Sequence, residues 1–105
     1  MTFEKRDYIK YRLERADETL AEAIQIAKMQ HWNSVANRLY YACFYAVNAL
    51  LFNNDVKAKT HTGVRSMFHD LLNSKFTNRK ELGKLFSELF DLRNKGDYID
   101  LVVST

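Results

Sequence analysis

The sequence predicts an all-α fold, an up-and-down bundle of four main helices, and three observations predict it. Proline is absent from the 105 residues and glycine occurs only three times, so little in the chain breaks a helix. Between Leu39 and Phe52 runs a stretch whose one clearly polar member is Asn48. Around that stretch, apolar residues recur at intervals of three and four in three further segments, the period of a helix face.

The first helix is expected from about Lys5 to Met29. Leu13, Ala16, Leu20, Ala23 or Ile24, and Ala27 form a narrow stripe of coiled-coil type, while Arg12, Glu14, Arg15, Asp17, Glu18 and Glu22 occupy solvated faces. A break over residues 30–34 follows, where Asn33 or Ser34 can cap the next helix. That central helix is apolar nearly all round. At 14 residues its apolar run is shorter than the ~20 of a membrane span, so it is expected to be the buried centre of the domain. Leu39, Cys43, Ala46 and Leu50 mark one face, and Ala36, Tyr40, Val47 and Leu51 another. Tyr40, Tyr41, Phe44 and Tyr45 add an aromatic girdle, whose hydroxyls need either partners or water.

Asn53 or Asn54 can end the central helix in the left-handed conformation, and Thr60 can cap a third. The third helix carries Val64, Met67, Phe68, Leu71 and Leu72 at helical spacing. A turn over residues 73–78 leads to a fourth, capped by Thr77 or Asn78, with Leu82, Leu85, Phe86, Leu89 and Phe90 as its stripe. Gly96 is expected to end or kink it, and residues 98–105 show no classifiable period. One domain over residues 1–105 is expected, without repeat or linker.

A formal charge of +3, from 16 basic and 13 acidic residues, is far from the clustered excess of a dedicated DNA-binding surface. The single cysteine, Cys43, lies inside the apolar run and has no internal disulfide partner, which fits a reducing compartment. With no apolar leader at the N-terminus, a cytoplasmic location is expected. There is no phosphate loop, CxxC pair, HExxH or nucleophile elbow. His31, His61 and His69, with Asp70, lack metal-ligand spacing, so neither metal nor cofactor is implied.

Two positions stand out. Extending the fourth stripe from Leu82 through Phe86 and Leu89 lands on Arg93 and then Asp97. A charge on a core-facing stripe demands a partner, and Asp97 stands one turn on from Arg93. That pair either closes the end of the bundle or forms a polar cleft in which Arg93 offers its planar fork to a phosphate. His61, beside the capping Thr60, falls where free helix amides favour an anion.

Three segments together resemble HEPN domains (higher eukaryotes and prokaryotes nucleotide-binding). They are the run from Ala36 through Tyr40-Tyr41-Ala42 to Leu51, then Lys59-Thr60-His61-Thr62-Gly63-Val64, then Leu92 to Tyr98. The resemblance is to the small prokaryotic branch and covers roughly residues 10–100. It implies a helical bundle that often dimerises, with the polar end of the last long helix in a shared cleft. It also implies a minimal nucleotidyltransferase as partner in a toxin–antitoxin module, and a nucleotide or RNA as ligand. Ribonuclease members carry Arg, four to six residues, then His; here Arg93 is followed after four residues by Tyr98, and no histidine follows His69. A missing general acid/base costs ~10²–10⁴ in rate. The family's usual final helix is also expected to be missing.

The expected function is therefore a non-catalytic HEPN-like protein binding a nucleotide, RNA phosphate or nucleotidyltransferase through Arg93, Asp97, Tyr98 and His61. Its alternatives are a metal-independent ribonuclease toxin using Arg93 with Tyr98 or Asp97, and a purely structural dimeric module. No membrane association is expected, and a homodimer is.

Overall fold

The computed structural model describes the backbone of residues 4–104 and the side chains of residues 4–96. It contains α1 (Lys5–Ala27), α2 (Trp32–Asn53), α3 (His61–Lys75) and α4 (Lys80–Ser104), with a 3-10 turn over Thr77–Arg79 and no strand among the described residues. The all-α bundle is the expected one.

The helix ends differ from expectation in several places. Asn33 and Ser34 do not cap α2; His31 precedes it, and both residues lie in its first turn. Asp55, rather than Asn53 or Asn54, takes the left-handed backbone after α2, with φ at 59°. Thr77 and Asn78 join the 3-10 turn instead of capping α4. Thr60 caps α3 as expected, its Oγ1 accepting from the Gly63 amide at 2.9 Å. Gly96 does not end α4, which runs on to Ser104, so the unclassified tail is helical to that point. Gly96 is buried, and a Cβ there would lie 3.3 Å from the Asn33 side chain, which would have to shift by a few tenths of an ångström to admit it.

The start of α1 meets the end of α2, which makes the pair antiparallel. Tyr8 packs on Phe52 with ring centroids 4.4 Å apart, and Lys5 reaches Asp55 at 2.8 Å. The face of α1 turned to α2 is not the expected apolar stripe. Ala23 is buried as expected, with Thr19 beside it in the interface, whereas Leu13, Leu20 and Ile24 are 47, 43 and 55% exposed. The reason is steric. Large rings on α2 need small residues and slender arginine stems opposite them, so α1 rotates to bring Thr19, Ala23, Arg12 and Arg15 inward. The buried Thr19 hydroxyl is satisfied by donating to the Arg15 carbonyl at 2.7 Å.

α2 is central as expected, packing against α1, α3 and α4. Tyr40, Val47, Leu51, Val64, Phe68, Leu71, Leu72 and Phe86 form the core. Of the two expected faces of α2, that of Tyr40, Val47 and Leu51 is buried, while Cys43 and Leu50 sit at its margin. Met67, Leu82 and Leu85 are exposed, and beside them lies an open apolar groove of about 250 Å³ lined by Cys43, Ala46, Leu50, Phe68, Leu82 and Leu85. No described helix is long and apolar enough to cross a membrane.

Candidate functional site

The chemistry gathers at one end of the bundle, around a tyrosine whose place in the sequence pattern is that of a core residue. Tyr40 is 0% exposed, and its phenol is pushed up to about 12, chiefly by burial. A buried hydroxyl needs a partner, and it finds Nδ1 of His61 at 2.8 Å. α3 begins at His61, so the capping of that helix by Thr60 is what sets the ring against α2. There the imidazole stacks on Phe44, with centroids 4.4 Å apart and planes 15° apart, and meets Tyr41 edge-on.

Arg93 enters from α4. Its guanidinium lies over both tyrosines, 5.2 Å from the Tyr40 ring centroid and 5.5 Å from that of Tyr41, with Nη1 3.5 Å from the Tyr41 hydroxyl. The same cation faces the Tyr40 hydroxyl and opposes the upward shift of its phenol. Arg65, one turn beyond His61, stacks on Phe90 at 4.3 Å and stands 3.7 Å from Asp91. Arg38 lies over the other side of this cluster, 5.4 Å from the Tyr41 ring centroid, held by Asn37 Oδ1 at 2.9 Å.

These contacts fix the state of the histidine. Burial, and secondarily the Arg93 charge, hold His61 below the ordinary imidazole value, so the neutral ring predominates at pH 7. The Tyr40 hydroxyl and His61 Nδ1 share a hydrogen bond whose direction follows the imidazole tautomer. The result is a chain from guanidinium to phenol to imidazole. A lowered native pKa means that stability linked to His61 is present in full above pH 6.5 and is lost as the pH falls through the lowered value. Urea unfolding of wild type and His61→Gln should show the wild type's advantage shrinking between pH 7.5 and pH 5. A difference that does not change with pH would mean the ring titrates as it does in the unfolded chain.

Of the expected site residues, the structure brings Arg93 and His61 together across two helices. The side chains of Asp97 and Tyr98 lie outside the described residues, and with them the expected Arg93–Asp97 pair. Sequence reasoning missed Tyr40, Tyr41 and Arg65 as site members. The signal that could have found them was the girdle itself: adjacent tyrosines in the middle of α2 place two hydroxyls where polar neighbours have to satisfy them. Among the described residues, no three His, Cys, Asp or Glu side chains gather as a metal ion would require.

Comparison with known proteins gives this geometry a context. The chain is similar to a UPF0332 protein of Thermotoga maritima, 38% identical over 99 residues, covering 94% of this chain and 75% of the relative. It is also similar to two Methanocaldococcus jannaschii proteins, each named a putative toxin. One is 28% identical, over 82% of this chain and 58% of its own length; the other is 29% identical, over 89% and 69%. No solved structure matches it. The family model of the HEPN domain matches residues 9–105, nearly the whole chain, and the chain belongs to the HEPN family.

Proposed function

We propose that this HEPN protein binds the phosphate of a nucleotide or RNA at the Arg93–His61 end of the bundle, without cleaving it, in a toxin-type role. The observation that carries the reading is the convergence of Arg93 from α4 and His61 from α3 on the Tyr40 hydroxyl. A guanidinium held over the Tyr40 and Tyr41 rings has its planar set of donors positioned, as recognition of phosphate needs. Arg38 and Arg65 add positive charge around it. The names of the two Methanocaldococcus relatives support the toxin-type role.

What argues against bond cleavage is the sequence: Tyr98 stands where the ribonuclease spacing from Arg93 calls for a histidine, and Nδ1 of His61 is engaged by Tyr40. Titration with uridine 5′-monophosphate should shift the His61 ring signals in NMR spectra and saturate. RNA incubated with the protein in chelator-containing buffer should stay intact. Cleavage that vanishes in both Arg93→Ala and Tyr98→Phe would make the protein a nuclease instead.

Self-association belongs to the same proposal. The exposed Leu82 and Leu85, beside the apolar groove between α2 and α4, form a patch that a second copy of the chain would cover. Sedimentation at micromolar concentration should show a dimer or larger species. A clean monomer would remove this part of the reading.

A further inference from the structure

The Arg93 cluster is not isolated. Tyr41 carries Arg93 over its ring and Arg38 at 5.4 Å, and one helical turn along α2 its ring neighbours that of Tyr45, with centroids 6.1 Å apart. Tyr45 in turn lies under two guanidinium groups from α1, Arg12 at 5.5 Å and Arg15 at 5.4 Å. Four arginines and two tyrosines from three helices thus make one continuous strip along the groove between α1 and α2.

All six side chains are half-buried, so each keeps part of its surface open to solvent. Packing of α1 on α2 accounts for one aromatic–guanidinium contact. It does not call for a charged row that continues to α4. The carboxylates beside Arg15 and Arg38 are solvent-exposed: Arg15 pairs with Glu18 at 2.8 Å, and Arg38 stands 3.8 Å from Glu22. Surface pairs of this kind contribute little, so a phosphate can replace those carboxylates at small cost.

We infer that this Arg–Tyr strip is a binding track for single-stranded RNA, leading away from the Arg93–His61 site along α2. The chemistry of the strip matches that of a single strand. Phosphodiesters take the guanidinium forks, and unpaired bases stack on tyrosine rings or on guanidinium planes. A duplex buries its base faces and cannot use the rings. The inference rests on the phosphate-binding reading of Arg93 for its starting point, but Arg12, Arg15 and Tyr45 lie outside that site, so the two can be tested apart.

Fluorescence anisotropy with a labelled oligouridylate of eight nucleotides, competed by uridine 5′-monophosphate, makes the test. The octamer should bind at least ten-fold more tightly than the mononucleotide and more tightly than a blunt RNA duplex. The double variant Arg12→Gln/Arg15→Gln should weaken octamer binding at least five-fold and leave mononucleotide binding unchanged. It should also reduce the salt dependence of octamer binding, by about 0.7 in logarithmic slope for each phosphate that is no longer neutralised. Tyr45→Leu, which changes no formal charge, should weaken the octamer alone; if that variant fails to fold, the arginine pair decides. Loss of octamer binding in the double variant, with no mononucleotide binding even in wild type, would uphold the track and reject the Arg93 phosphate site. Equal affinity for octamer and mononucleotide would overturn the track. So would a double variant that turns a dimer into a monomer while binding the octamer as before, because the strip would then be a protein interface.

Discussion

Arg93→Ala should lose mononucleotide binding by ten-fold or more while the protein stays folded. A hydrogen-bonded charged group contributes about 1.5–3 kcal/mol, which corresponds to roughly ten- to hundred-fold in affinity. Among its described contacts, Arg93 lies over the Tyr40 and Tyr41 rings. Such cation–π contacts contribute about 0.5–2 kcal/mol. Arg93→Lys should also bind poorly, since an ammonium keeps the charge but not the planar fork. The readouts are isothermal titration with uridine 5′-monophosphate and urea unfolding of the same preparations. If Arg93→Ala unfolds the protein, the arginine is a structural element of the bundle end, and the binding reading fails.

Leu51→Ala should produce the larger loss of stability, ~2–5 kcal/mol, because it opens a cavity where α2 meets the rest of the core. Leu51 is 2% exposed and packs within the cluster that includes Val47, Val64 and Phe86. Leu50→Ala should cost less, since Leu50 lines the open groove and water can reach part of the space it leaves. Chemical denaturation of both variants gives the comparison. Equal losses would mean that the groove is closed in solution, and losses under about half a kcal/mol for both would mean that α2 is not the central helix.

These two variants also mark where the sequence could be read and where it could not. The run from Leu39 to Phe52 identified the central helix, because a helix apolar on nearly every face has to be enclosed. It left open which face would be enclosed most completely. Tyr40, Val47 and Leu51 and the set containing Cys43 and Leu50 are equally apolar as strings. Only the approach of α3 and α4 decided that the first lies in the core and the second at a groove. α1 shows the same limit. Leu13, Leu20 and Ile24 have the spacing of a core stripe, yet they are exposed. Among the described residues α1 packs on α2 alone, and there the shape of the aromatic partner outweighs hydropathy.

For the candidate site, Arg93 was legible because a charge on an apolar stripe contradicts its own pattern, and His61 because it follows the Thr60 cap. What joins them was not legible. His61 stands 21 residues from Tyr40, and Arg93 reaches Tyr41 across 52. Contacts of that separation exist only once the helices have packed. Helix type, helix number, the central position of α2 and the two isolated polar candidates were therefore determined by the sequence itself, since each follows from local spacing and the need to bury apolar surface. Tertiary structure alone decided that Tyr40, buried for its ring, must satisfy its hydroxyl, and that the partner it finds turns a core tyrosine into the hinge between Arg93 and His61.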